Sequence, residues 1–167
     1  VRGVLNGCDL ETWNPKKDKL LPKNFDTKDL SGKAVCKAEL QKRMGLPVKP
    51  DVPLIGIVTR LADQKGIAEV FAPTYGSIFA MCVNMELQFA ILGSGEKWCE
   101  DEINALQSKL PNLRAYIGYD ESLSHLIEAG SDFFLMPSRY EPCGLNQMYS
   151  MLYGTLPIVR RTGGLAD

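Results

Sequence analysis

The chain has 167 residues, of which 45% are hydrophobic, and this is enough for one domain with an ordinary core. Its 19 Lys and Arg residues nearly balance its 20 Asp and Glu residues, leaving a formal charge of -1. This balance excludes the global positive field that draws a protein to nucleic acid or to anionic lipid, so neither partner is expected. An anion site must therefore be local.

The cysteines are widely spaced and contain no Cys-x-x-Cys pair, which argues against a zinc site or a redox centre. The five are Cys8, Cys36, Cys82, Cys99 and Cys143. They are predicted to be reduced thiols that mostly fill the core. No apolar run approaches the roughly 20 residues that span a bilayer, and residues 1–10 lack the blocks of a signal peptide. We therefore predict a cytoplasmic protein with no membrane partner and no metal.

The first part of the chain divides into a lead-in and a helix. Residues 1–30 are rich in turn-forming pairs and show little periodicity, so they are predicted to be irregular and to lie outside the core. Residues 33–44 place apolar side chains at helical intervals and stop at Gly45, a residue that suits a helix end. This predicts one amphipathic helix.

After a proline-rich joint at residues 47–53, short apolar runs alternate with helical stretches. The predicted strands are Leu54–Thr59, Leu87–Leu92, Leu113–Ile117, Phe133–Met136 and Leu156–Val159. Helices are predicted near residues 66–80, 96–109, 121–129 and 144–153, the first being weakened by Pro73 and Gly76. This alternation predicts right-handed crossovers, and therefore an α/β fold with a doubly wound, Rossmann-like parallel sheet.

Ligands of open parallel sheets bind beyond the carboxyl ends of the strands, where the strand order reverses. Nearly all the distinctive chemistry of the chain lies in the turns at those ends, at residues 60–66, 93–95, 118–120, 137–144 and 160–164. These five turns are the candidate site.

Two cations, Arg60 and Lys65, flank the first of these turns. A guanidinium and an ammonium at the start of a helix can hold a diphosphate, the former through paired hydrogen bonds. The spacing alone leaves open that both side chains are merely solvated. The turn is not a Walker loop, because the Gly-x-x-x-x-Gly-Lys-Ser/Thr order is absent.

The fourth turn combines a carboxylate with the start of a helix. Glu141 follows a predicted strand, and the backbone N–H groups of Cys143, Gly144 and Leu145 can face an anion or a sugar hydroxyl. Gly144 also permits a close approach. The alternative is that Glu141 only caps the helix.

Two features that resemble site motifs are interpreted as structural. Gly93-Ser94-Gly95 lacks the third glycine of a dinucleotide fingerprint and is predicted to be a tight turn. His125, the single histidine, lies within a predicted helix and is interpreted as a structural residue rather than as a catalytic base.

The string Ser138-Arg139-Tyr140-Glu141-Pro142-Cys143-Gly144-Leu145-Asn146-Gln147 resembles the S-R-F-E-P-C-G-L-x-Q signature of bacterial glycogen synthases and plant starch synthases. Four more segments agree with that family in order and spacing, at residues 6–9 with 13–15, 59–66, 153–157 and 160–165. The resemblance covers essentially the whole chain. It implies the C-terminal, nucleotide-sugar-binding domain of a two-domain GT-B glycosyltransferase.

The resemblance also implies a domain organisation and an activity. Residues 1–50 would be a lead-in and linking helix on the inter-domain side, and residues 51–167 a Rossmann-like domain truncated at its C-terminal end. The implied reaction transfers glucose from ADP-glucose to the non-reducing end of an α-1,4-glucan with retention of configuration, without a cofactor or a metal. The implied partners are ADP-glucose, the glucan acceptor and a missing N-terminal GT-B domain, so these residues alone are expected to be inactive.

Roles are carried over by position. Arg60 and Lys65 resemble the pair that neutralises the diphosphate, and Glu141 resembles the carboxylate that holds the donor glucose; these three form the predicted catalytic set. The residues assigned to nucleotide-sugar binding are Asn6, Tyr119, Cys143, Gly144, Leu145, Thr162 and Gly163. Among them, Tyr119 matches the aromatic ring that packs on the adenine, and Asn6 matches a polar contact on the hinge side of the cleft.

The chain departs from the wider pattern at a few positions. Tyr149 stands where many retaining relatives have a second glutamate, a replacement that glycogen synthases share, and Asn146 stands where many have threonine. Residues 68–85 follow the family pattern poorly. Two rivals stay open: a transferase of UDP-sugars such as a sucrose synthase, and a glucan-binding module without turnover. The signature string disfavours the first rival, and the predicted catalytic set disfavours the second.

Overall fold

The computed structural model describes residues 4, 6–73 and 76–166. Its strands are β1 (Leu54–Val58), β2 (Gln88–Gly93), β3 (Leu113–Ile117), β4 (Phe133–Met136) and β5 (Leu156–Val159). They form a parallel sheet with the order β3-β2-β1-β4-β5. The chain starts in the middle at β1, runs outward to β3 and then crosses to the other side of β1. The predicted doubly wound, Rossmann-like fold is therefore confirmed.

The central strands β1 and β2 are buried on both faces of the sheet. All six residues of β2 are buried, and its side chains alternate between two cores: Phe89 and Ile91 face one, and Ala90 and Leu92 face the other. A strand covered on both faces is apolar at nearly every position, and this is why short apolar runs located these two strands in the sequence. The exception in β2 is Gln88, whose buried side chain is hydrogen-bonded to Gln41 and to the Pro47 carbonyl. The bounds of β3, β4 and β5 agree with the prediction, and those of β1 and β2 differ by one residue.

Helices cover both faces. In the described part of the chain they are α1 (Ser31–Met44), α2 (Ile67–Phe71), α3 (Ile78–Asn84), α4 (Lys97–Lys109), α5 (Glu121–Gly130) and α6 (Leu145–Leu152). The side chains of α2, α3 and α4 fill the first core, and those of α1 and α5 fill the second. As predicted, α1 ends at Gly45, which has a φ of 70° and donates its N–H to the Lys42 carbonyl over 3.0 Å.

The prediction of a single helix near residues 66–80 is wrong. The structure has two short helices there, α2 and α3, separated by residues 72–77. Pro73 cannot donate a backbone hydrogen bond, and Gly76 lies so close to the preceding turn that an added Cβ would be 2.6 Å from the Ala72 carbonyl oxygen. Residues 74–75 lie outside the described ranges. The break therefore falls at the residues that weakened the prediction.

The expectation that residues 1–30 lie outside the core is also wrong. Leu21 and Phe25 are buried in the second core, although neither belongs to a helix or a strand. Isolated apolar residues among turn formers have no periodicity, so the sequence pattern could not identify them. The division of the chain at residue 50 stays a prediction.

A buried polar cluster joins the lead-in to α5. Asp18 Oδ2 lies 2.7 Å from Nδ1 of His125 and accepts the hydroxyl of Tyr153 over 2.6 Å. Burial opposes ionisation of Asp18, but the hydrogen bonds from His125, Tyr153 and the Leu20 amide contribute to a net lowering of the pKa of the carboxyl group. Trp13 stacks on the imidazole with ring centroids 3.8 Å apart. The interpretation of His125 as a structural residue agrees with these contacts.

The cysteines are free thiols: Cys36, Cys82 and Cys99 are buried, and Cys8 and Cys143 are half-buried. Burial raises the pKa of Cys82 to about 11 and that of Cys99 to about 12, so both stay protonated. Across residues 4, 6–73 and 76–166, no helix has the length and apolarity that crossing a membrane requires.

Candidate functional site

A cleft of about 450 Å³ opens at the carboxyl edge of the sheet, beside the ends of β1 and β4. This is where the strand order reverses, the position at which such sheets bind ligands. Seven of the ten predicted site residues line it: Asn6, Arg60, Lys65, Glu141, Cys143, Gly144 and Leu145. The residues therefore meet in one place although they are separated by up to 139 positions in the chain.

Two of the predicted catalytic residues contact each other. Lys65 Nζ and Glu141 Oε2 form an ion pair, and the side chains are only 19% and 11% exposed. The hydroxyl of Ser138 lies 3.4 Å from the same carboxylate oxygen. Glu141 is therefore held at the cleft wall by an ammonium group and a hydroxyl group, both of which a ligand could displace.

The loops that carry this pair are fastened to each other by the main chain. Arg139 donates its backbone N–H to the Gln64 carbonyl over 3.0 Å, and the Gln64 side chain donates to the Tyr140 carbonyl over 3.2 Å. The guanidinium of Arg139 also pairs with Asp63 at 2.7 Å and with Glu69 at 2.6 Å. These contacts set the positions of the two loops independently of any ligand.

Gly66 allows the two loops to approach. Its φ is +69°, and an added Cβ would lie 1.9 Å from the carbonyl oxygen of Pro137. Gly66→Ala should therefore combine the left-handed penalty of roughly 1 to 2 kcal/mol with a backbone collision. We expect it to lower the free energy of unfolding by on the order of 4 kcal/mol, as measured by urea denaturation.

Gly45→Ala is the matched control for this substitution. Gly45 has almost the same φ, +70°, but nothing lies within 4 Å of the added Cβ. Gly45→Ala should therefore lower the free energy of unfolding by the left-handed penalty alone. Equal losses for Gly66→Ala and Gly45→Ala would mean that the approach of the two loops does not depend on the missing side chain.

The start of α6 faces the same cleft. Gly144 precedes the helix with a φ of 83°, and within the described residues no side chain caps this helix end. The alternative that Glu141 caps the helix is therefore wrong, since its carboxylate pairs with Lys65 instead. The free end of the helix dipole and its first N–H groups favour an anion here.

Asn146, the departure from the threonine of many relatives, ties α6 to the sheet. Its side-chain amide donates to the carbonyl of Val58 at the end of β1 over 3.1 Å. The residue also lines the cleft. The amide thus serves a main-chain contact that fixes the position of the helix start relative to β1.

Tyr119 lies in a neighbouring cavity of about 340 Å³. That cavity shares four lining residues with the cleft, namely Val58, Thr59, Arg60 and Asn146. Tyr119 is 83% exposed, so its ring is free to receive a planar ligand. Arg60 borders both spaces, and Trp13 lines the second one. A ligand with an anionic part and a planar part could therefore extend from one space into the other.

Thr162 and Gly163 lie behind the Glu141 loop and not among the residues that line the cleft. Thr162 places its hydroxyl 3.3 Å from the carbonyl oxygen of Arg139. A Cβ added to Gly163 would lie 2.2 Å from the carbonyl oxygen of Glu141, and Gly164 donates its N–H to that oxygen over 2.9 Å. The structure gives these residues a supporting position, and their assignment to ligand binding stays a prediction.

Sequence reasoning missed the residues that support the site. Ser138 and Arg139 belong to the string that carried the family resemblance, but no local pattern shows what their side chains contact. The partners of Arg139 lie 70 and 76 residues away. Among the described residues, no cluster of His, Cys, Asp and Glu could hold a metal ion.

No family model matches the chain. Its sequence is 62% identical to a glycogen synthase of Treponema denticola over 167 residues, which is 100% of this chain and 34% of that protein. It is 51% identical to glycogen synthase 1 of Geobacter sulfurreducens over 166 residues, which is 99% of this chain and 32% of that protein. The chain thus spans about a third of the length of these curated relatives.

Solved structures agree with these relatives. The catalytic domain of starch synthase IV from Arabidopsis thaliana, bound to ADP and acarbose, matches with a TM-score of 0.90 and 40% identity, over 99% of this chain and 34% of that one. A trehalose-6-phosphate protein from E. coli, bound with UDP-2-fluoro glucose, matches with a TM-score of 0.60 and 17% identity, over 89% of this chain and 35% of that one. The second likeness shows the fold alone. Over its whole length, the chain is therefore similar in sequence to about a third of these glycogen synthases, and in sequence and fold to about a third of this starch synthase.

Proposed function

We propose that the complete protein transfers glucose from ADP-glucose to the non-reducing end of an α-1,4-glucan, with retention of configuration. The observation that carries this proposal is the single cleft in which Arg60, Lys65, Glu141 and the start of α6 meet. Two cations and a helix start suit a diphosphate, and a carboxylate suits a sugar. The names of the relatives and the ADP bound to starch synthase IV support the same donor.

The two cations would stabilise the leaving group. As the bond between glucose C1 and the diphosphate oxygen breaks, negative charge grows on that oxygen, and groups already in position favour this state over the ground state. Arg60, Lys65 and the first amides of α6 line the space where this charge would develop. Because these groups supply positive charge directly, we propose that the reaction needs no metal and no cofactor.

Glu141 would orient the donor sugar. A carboxylate only accepts hydrogen bonds, and glucose hydroxyls are donors. The carboxylate lies at the cleft wall, and its loop is fixed through the backbone of Arg139 and Gly164. We assign it a positioning role rather than that of a nucleophile. The glucan acceptor would approach from an N-terminal GT-B domain of the complete protein.

Tyr119 would stack on the adenine. Its exposed ring lies in the cavity next to the proposed diphosphate site. Tyr119→Ala should weaken ADP binding by roughly 1 to 3 kcal/mol, the contribution of a base stacked on an aromatic side chain. Tyr119→Phe should weaken ADP binding much less, and isothermal titration calorimetry measures both effects. Equal losses from both changes would show that the hydroxyl group matters and the ring does not.

One experiment separates this function from its two rivals. The complete protein is titrated with ADP-glucose, UDP-glucose and glycogen separately, and nucleotide release is then followed with each donor in the presence of glycogen. Release of ADP is the expected result. Preferential turnover of UDP-glucose would indicate a UDP-sugar transferase. Binding of glycogen without nucleotide release from either donor would indicate a glucan-binding module.

We also propose that the protein works in the cytoplasm. All five cysteines are free thiols, which suits a reducing compartment. The near balance of charges supports neither nucleic acid nor a membrane surface as a partner. Fractionation of the source cells, with detection of the protein by antibody, is the direct test.

A further inference from the structure

We propose that the ion pair between Lys65 and Glu141 makes the site select a sugar nucleotide over the bare nucleoside diphosphate. The inference rests on the proposed function, because it assumes that the cleft binds a diphosphate. It adds a second role to Glu141: in the empty site, this carboxylate competes with the phosphates for the lysine.

The geometry favours this competition. Lys65 and Glu141 both line the cleft, and their contact is largely shielded from water, with side-chain exposures of 19% and 11%. The main chain brings the two side chains together, because the backbones of their loops are joined by the hydrogen bond from the Arg139 N–H to the Gln64 carbonyl. The close packing of Gly66 on Pro137 adds to this constraint.

A bare diphosphate does not replace the hydrogen-bond donor that Glu141 loses when Lys65 binds the phosphates. If a phosphate takes Lys65, the carboxylate loses its cation in a poorly hydrated position and then faces the negative charge of the ligand. A carboxylate has no proton to donate, and phosphate oxygens, whose last pKa is about 6, are mostly ionised at neutral pH. The Ser138 hydroxyl, at 3.4 Å, is the one other side-chain donor that the described residues give Glu141. Binding of ADP alone is therefore weakened.

A glucosyl group supplies what ADP lacks. Its hydroxyls can donate to Glu141 and so replace the lysine, which leaves Lys65 free for the diphosphate. The two contacts then support each other, and such coupling is reciprocal: the sugar strengthens the hold on the diphosphate, and the diphosphate strengthens the hold on the sugar. After the glucose has been transferred, Glu141 recovers Lys65 and the bound ADP is weakened.

The test uses Glu141→Gln in the complete protein, with ADP and ADP-glucose as separate ligands and no glucan present. Glutamine removes the negative charge and keeps the size of the side chain. We expect the Kd for ADP to fall by on the order of tenfold, whereas the Kd for ADP-glucose stays the same or rises. Both constants are measured by isothermal titration calorimetry, and the far-ultraviolet circular dichroism spectrum verifies folding.

Glu39→Gln is the matched control. Glu39 lies in α1, lines neither the cleft nor the neighbouring cavity, and forms no ion pair with any described residue. The change removes one negative charge without releasing a lysine, so ADP binding should change little.

Three results would overturn the proposal. The first is an unchanged or weaker affinity of Glu141→Gln for ADP, with normal ADP binding by the unmodified protein; the proposed function would then stand without this inference. The second is equal tightening in both variants, which would show a general charge effect. The third is an unmodified protein that binds neither ADP nor ADP-glucose, which would overturn the proposed function as well.

Discussion

Replacing Lys65 with alanine in the complete protein should lower kcat/KM for ADP-glucose by on the order of a hundredfold or more, the loss typical of one donor to developing charge. Arg60→Ala should have an effect of similar size. Both side chains line the cleft in which the leaving diphosphate is proposed to lie. Each substitution therefore removes one positive charge that would stabilise the transition state. Initial rates of ADP release at varied ADP-glucose concentration give this quantity.

Lys49→Ala is the control for the lysine substitution. Lys49 is 52% exposed and pairs with Glu86, which is also exposed and does not line the cleft. An exposed ion pair contributes little to stability, so this variant should retain normal turnover. Near-normal kcat/KM in Lys65→Ala or in Arg60→Ala would contradict the diphosphate role of that residue.

Much of the fold could be predicted because each strand carries its signal locally. From Phe89 to Gly93, the residues of β2 are apolar since both faces of the sheet are covered there, and turn residues mark where each strand ends. Once the sheet was predicted to be parallel, the convergence of the turns at one edge followed from topology. Arg60, Lys65 and Glu141 could therefore be placed in one cleft from the sequence.

Other features depend on contacts between distant residues. Lys65 and Glu141 are separated by 76 positions, and no spacing rule indicates that these two side chains pair. Leu21 and Phe25 enter the second core only because the irregular lead-in folds back over α1 and α5, which local periodicity does not report. Thr162 and Gly163 share a motif with residues expected at the ligand, yet they pack against the back of the Glu141 loop.

The pairing of Lys65 with Glu141 also affects how a lysine variant must be interpreted. Removing the ammonium leaves Glu141 largely buried without its cation, and such a loss can destabilise the loop as well as the transition state. Lys65→Ala should therefore be accompanied by a measurement of ADP-glucose affinity. Lower kcat with little change in that affinity would assign the effect to the transition state.

Replacing Glu141 with alanine should nearly abolish turnover, whereas Glu141→Gln should retain part of it. Alanine removes both carboxylate oxygens of Glu141 and leaves space at the cleft wall where they lay. A neutral amide can still accept a hydrogen bond from a sugar hydroxyl, so glutamine should preserve some of the positioning. The two variants are compared by kcat at saturating ADP-glucose and glycogen.

The alternative role for Glu141 predicts a different order of rates. If its charge stabilised the positive reacting carbon, glutamine would lose as much as alanine, because the amide matches the shape of the carboxylate and lacks its charge. Ser138→Ala provides a milder comparison, since it removes one 3.4 Å contact to the carboxylate and leaves both Glu141 and Lys65 in place. A series in which alanine at 141 is slowest, glutamine is intermediate and Ser138→Ala is fastest supports positioning. Equal rates for Glu141→Gln and Glu141→Ala, with ADP-glucose still bound by both, would assign the carboxylate an electrostatic role at the reacting carbon instead.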